Sequence, residues 1–186
     1  DKSLLKRSLK RVAAKVLSVN WFAPVPDRIK LMVVRRAGVC DWHWYASFIM
    51  RVPDGSGDGP SHFVSYGNHE GKSPSPLFDP VWYCARFGLK ARPLDALVQY
   101  VLIGDLIGLA PCPWFAPRYC RAKARSKAFM RPALGRYLGN YRTAGAPHPL
   151  FDQEWYLAQY PDVQASGANP LVHFLYYGIV EGRLPN

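Results

Sequence analysis

The stretch that most constrains this chain is its last, residues 150–186: LFDQEWYLAQYPDVQASGANPLVHFLYYGIVEGRLPN. It carries its own start and stop signals. Asp152 reads as an N-cap, and Glu154 adds a second acid where a helix end is positive. Trp155, Tyr156, Gln159 and Tyr160 then fall at helical spacing and give one aromatic face. Pro161 stops that helix, because it lacks an N–H and crowds the preceding turn. A second helix is expected from Asn169-Pro170, a cap followed by proline at the first helical position. Leu171, Phe174, Leu175 and Gly178 supply its stripe, and Gly182 and Pro185 end it.

The same pattern recurs three times upstream, increasingly worn. Its anchors are Asp41, Asp79, Ala116 and Asp152, spaced 38, 37 and 36 residues apart. Trp44, Trp82, Tyr119 and Trp155 each follow three positions later. His62-Phe63, Gln99-Tyr100, Arg136-Tyr137 and His173-Phe174 mark the second helix of each copy. Two short helices repeated at such a period predict an all-α fold. The expected organisation is basic N-terminal helices over 1–38, then about four helical hairpins of roughly 37 residues each. These hairpins span 39–76, 77–113, 114–149 and 150–186. Their expected core is Trp44, Trp82, Tyr119, Trp155 and Phe174.

The pattern FDxxWYLxxYPDVxxxGxxPLxHFLxxGxxEGRxP resembles a repeat found beside glycosyltransferase domains in bacterial proteins that build cell-surface polysaccharides. Similar repeats also occur in some large secreted bacterial proteins. The last copy matches nearly throughout, from Phe151, Asp152, Trp155 and Tyr156 to Glu181, Gly182, Arg183 and Pro185. The second keeps Phe78, Asp79, Trp82 and Tyr83 but loses the Glu-Gly-Arg end. The first keeps Asp41, Trp44, Tyr45, His62, Gly67, Glu70 and Gly71. The third departs most, with Ala116 at the cap, Tyr119 for Trp and Cys120 for Tyr. The resemblance implies a setting, polysaccharide assembly beside a glycosyltransferase partner, rather than a reaction.

Charge sharpens that reading. The net +11 is carried by two blocks, residues 1–38 and 111–148, each at +8, while the rest is mildly acidic. Residues 3–19 form an amphipathic pattern, with Leu4, Leu5, Leu9, Val12, Val16 and Leu17 on one side. Lys2, Lys6, Arg7, Lys10, Arg11 and Lys15 occupy the remainder, and Trp21 follows. A purely basic polar face with an aromatic edge suits an anionic membrane surface. A first helix packed on the repeats, its lysines solvated, accounts for the same pattern. Such transferases work on lipid-linked acceptors, so the resemblance favours the inner face of the bacterial inner membrane. In the second block Arg118, Arg121 and Arg125 form a stripe fit for an anion, or a plain solvated face. Asp27 is expected to cap a short helix to Arg36, with Ile29, Met32 and Val33 inward.

Other classes find less support. With 49% hydrophobic and 14% aromatic residues the chain is not of disordered type. No run is long and apolar enough to span a membrane, and the basic start lacks a signal peptide's apolar core. Cys40, Cys84, Cys112 and Cys120 lack zinc-site spacing and read as buried thiols of a reducing, cytoplasmic compartment. The Gly/Asp loop at 53–59 lacks the glutamate of a calcium loop, Ser65 standing in its place, and reads as a turn. No catalytic or cofactor motif appears, and His62 and His173, at equivalent positions, read as structural. Nucleic acid is disfavoured, since few aromatics interleave the basic block. Three functions are therefore in view. The first is a non-catalytic scaffold docked to a membrane or partner enzyme. The second is a glycan-binding module using exposed aromatics, and the third a small enzyme.

Overall fold

The structure, a computed structural model, describes residues 22–124 and 131–186. Among these the fold is all-α, and the only strand-like pairings are isolated bridges, Cys112 with Phe115 and His148 with Phe151. The helix expected over 3–19, its six basic residues, Trp21 and Arg125 lie outside the described residues.

Helix α1 (Asp27–Arg36) precedes residues 39–76, which hold α2 (Trp42–Phe48) and α3 (Gly59–His62). Residues 77–113 hold α4 (Pro80–Phe87) and α5 (Pro93–Gln99), the latter continuing into α6 (Asp105–Ile107). Residues 114–149 hold α7 (Pro117–Lys123), α8 (Ala133–Gly139) and α9 (Tyr141–Ala144). The last stretch holds α10 (Gln153–Gln159), α11 (Pro161–Ser166) and α12 (Pro170–His173). The simple two-helix hairpin expected there is thus corrected. Pro161 does end α10, but its fixed φ then opens a further helix instead of a loop.

The same local chemistry starts these stretches. Asp41 and Asp79 each accept the N–H of the residue three ahead, Trp44 and Trp82, at 2.9 Å. Asp152 accepts from both Glu154 and Trp155 at 3.0 Å. Ala116 offers no acceptor, and Pro117 alone opens α7. Each stretch is also clasped to its own end. The N–H of Asp41, Asp79, Ala116 and Asp152 donates to the carbonyl of Pro74, Pro111, Pro147 and Pro185, at 2.8–3.1 Å. Just before each clasp the chain turns through a left-handed glycine: Gly71, Gly108, Gly145 and Gly182.

A π-helical turn follows α3, α5 and α12: Phe63–Gly67, Tyr100–Gly104 and Phe174–Gly178. Its closing glycine makes room for a buried tyrosine from the preceding helix. Tyr45, Tyr83 and Tyr156 are fully buried, and their hydroxyls press on Gly67, Gly104 and Gly178. Each hydroxyl also meets the residue before the π turn. Tyr45 and Tyr156 share 3.0 Å hydrogen bonds with Nδ1 of His62 and His173, and Tyr83 donates to Gln99 at 2.6 Å. The third stretch lacks this arrangement. Cys120 stands in the tyrosine's place, Tyr141 in the glycine's, and the helix breaks at Asn140 instead of widening.

The α1 face is a second correction. Ile29 and Met32 point outward, 41% and 46% exposed, while Lys30 and Val34 are buried. Lys30 turns inward because a buried carboxylate waits there, Asp95 at 2.5 Å. Asp27 is the helix's first residue rather than its cap, and it binds Lys30 and Arg92.

Contacts between the stretches run in a circuit. Asn68 accepts the Leu94 N–H at 2.9 Å, and Arg121 reaches back to Asp105 at 2.6 Å. Trp114 packs edge-on against Phe174 at 5.4 Å. The last stretch then returns to the first: Tyr176 meets Trp44 at 5.2 Å and Phe48 at 5.1 Å.

Candidate functional site

Where the last stretch meets the first, a cleft of about 560 Å³ opens. Helix α2 contributes Trp44 and Phe48, and the residues just after the first clasp contribute Ser75 and Pro76. Trp114 and Tyr176 complete its aromatic walls. Tyr176 is held by its hydroxyl, which donates to the Pro76 carbonyl at 2.9 Å. Burial raises its pKa, so the phenol stays protonated and keeps that bond. Two buried polar atoms among the lining side chains lack a hydrogen-bond partner among the described residues: the Trp44 indole N–H and the Ser75 hydroxyl. Lys72, Ser73 and Asp79 bring charge and hydroxyl to the rim.

The aromatics named from the sequence divide between wall and core. Phe174 and Trp44 are buried, at 4% and 8% exposure, and Trp44 lines the cleft. Trp82 and Trp155 are half-buried and pack against the core cluster, whose centre is the tyrosine next in sequence. Tyr119 is half-buried with Lys123 over its ring, beside a polar cleft of about 340 Å³ that also holds Arg142 and Asp152.

The basic stripe is largely engaged in holding the fold. Arg121 donates to the Asp105 carboxylate at 2.6 Å and to its backbone carbonyl at 2.7 Å. Asp105 is further bound by the Tyr100 hydroxyl and the Ala133 N–H, both at 3.1 Å. Arg118 is exposed but donates to the Ile107 carbonyl at 2.6 Å. A different cationic face emerges on α1, where Arg28, Ile29, Met32, Arg35 and Arg36 all point outward. Helical periodicity alone places Ile29 and Met32 inward and so hides this face.

Residues that looked chemical in the sequence have structural bonds. His62 and His173 hold the tyrosine hydroxyls. Burial, with the Arg183 guanidinium second, holds the His173 pKa below its ordinary value, and burial alone does so for His148. Asp54 accepts from Ser56, and Asp58 caps α3. Cys112 and Cys120 are buried and Cys40 and Cys84 half-buried, all as free thiols that burial keeps protonated. Among the described residues no His, Cys, Asp or Glu group is arranged to hold a metal, and no helix is long and apolar enough to cross a membrane. Comparison with protein-family models, with curated proteins and with solved structures finds no match to this chain.

Proposed function

We propose that residues 39–186 are a four-copy helical-repeat array, and that the chain serves as a non-catalytic accessory module in bacterial surface-polysaccharide assembly. It docks beside a glycosyltransferase on the cytoplasmic face of the membrane. The repeat reading is supported by four clasps and by four left-handed glycines. The polysaccharide setting rests on the resemblance of the final copy. The observation that carries the docking role is the outer face of α1. Three arginines flank two exposed apolar side chains there, with five residues between α1 and the basic segment 1–21. Such a face combines attraction to anionic headgroups with shallow apolar insertion. Vesicle co-sedimentation tests it. The chain should pellet with anionic vesicles and not with neutral ones. Replacing Arg28, Arg35 and Arg36 with serine should weaken pelleting on the order of a hundredfold, at about 1 kcal/mol per basic residue. Equal pelleting of both forms would sink the docking role.

A second reading, glycan binding through exposed aromatics, is favoured by the cleft between the first and last stretches.

A further inference from the structure

We propose that this cleft is a carbohydrate site, taking one pyranose ring of a longer saccharide between Trp114 and Tyr176, with the Trp44 indole N–H as a donor. Three observations converge. The cleft's volume lies within the roughly 300–1,000 Å³ of small-ligand pockets, and five of its sixteen lining residues are aromatic: Trp44, Phe48, Phe78, Trp114 and Tyr176. Flat aromatic faces suit the C–H faces of a sugar ring, as apolar pocket walls suit any ligand's apolar surface.

The second observation is the pair of unpartnered polar atoms. Trp44 and Ser75 both line the cleft, are more than nine-tenths buried, and each carries a polar atom with no hydrogen-bond partner among the described residues. A buried donor or acceptor left without a partner is costly, so the cleft holds two unmet demands in one place. A sugar hydroxyl both donates and accepts, and it answers either.

The third is the mixture at the rim. Lys72 donates, Asp79 accepts, and the Ser73 hydroxyl does both. A proline-rich peptide also docks in aromatic grooves, but its prolines have no N–H to offer Asp79 or the serines. A hydroxyl-rich ring meets all of them.

The site uses no α1 residue, so it and vesicle docking fail independently. It rests instead on the meeting of the first and last stretches. The test is a titration of the ¹⁵N-labelled chain, followed at its tryptophan indole N–H signals. The probes are glucose hexasaccharides of α and β linkage, a β-linked N-acetylglucosamine hexasaccharide, and a proline-rich decapeptide. At least one sugar should shift the Trp44 and Trp114 signals saturably, with a dissociation constant of about 1 mM, leaving Trp82 and Trp155 in place. Trp44→Phe assigns its signal, keeps an aromatic wall and removes the N–H, and it should weaken binding about fivefold. Trp114→Ala should weaken it at least about tenfold. The proposal is overturned if no sugar moves the two signals, or if the peptide moves them and the sugars do not. It is also overturned if both variants bind as the parent does, or if water alone serves the two atoms and nothing saturates.

Discussion

The ring of Tyr176 meets that of Trp44 edge-on at 5.2 Å, joining the last helical stretch to the first. Its hydroxyl is spent on Pro76, one hundred residues earlier. Tyr176→Ala removes the ring that closes the circuit. It should destabilise the fold by about 3 kcal/mol, as other large aromatic truncations do. Tyr177→Ala, one position on and 47% exposed, should cost less than half as much. Urea unfolding of the two variants, followed by tryptophan emission, checks the contrast.

The tyrosine–glycine contact makes a coupled prediction. A Cβ on Gly178 would stand 2.5 Å from the Tyr156 hydroxyl, well inside the 3.0 Å that Cβ atoms keep from other heavy atoms. Gly178→Ala should therefore cost about 2 kcal/mol through overpacking. Tyr156→Phe alone should cost about 1 kcal/mol by losing the His173 bond. Together they should cost less than their sum, since removing the hydroxyl vacates the space the methyl needs. A double-mutant cycle in urea measures that coupling.

Acid should weaken the fold through histidine. His173 and His148 have folded-state pKa values below their unfolded ones. The unfolded chain therefore binds protons more readily, and the contribution is whole above about pH 6.5. It is lost as pH falls through that value towards the folded pKa. Gln99 already fills the equivalent place and takes the Tyr83 hydroxyl. His173→Gln should keep the phenol bond and flatten the fall of melting temperature between about pH 7 and 5.

The pair Lys30 and Asp95 offers a stability test inside α1's footing. Lys30→Met removes the nearest cation from the buried Asp95 carboxylate, while Arg92 stands 3.6 Å away. The loss should be about 3 kcal/mol, and Lys30→Met with Asp95→Leu should recover most of it. Thermal unfolding of the single and double variants decides.

How much of this could be read in the letters depends on range. The caps at Asp41, Asp79 and Asp152 were legible because an N-cap needs only its next three residues. The helical class was legible for the same reason. The choice between adjacent aromatics was not. Trp155 and Tyr156 both fit a helical stripe, and only the neighbouring helix, with its glycine, selects the tyrosine for the centre. That glycine had a readable signal, five residues after His62, Gln99 and His173. On α1 the expectation failed because a buried lysine inverts the usual rule, and its partner lies 65 residues downstream at Asp95. The cleft was beyond reach, since Trp44, Trp114 and Tyr176 share no local pattern.

The proline clasps bear on how such a chain could lengthen or shrink. Each ties an amide near the start of a stretch to a carbonyl near its own end, so inserting one more such stretch would add a block whose two ends are already joined. The clasp is also independent of the cap: Ala116 has no capping carboxylate, yet its amide donates to Pro147 at 2.8 Å.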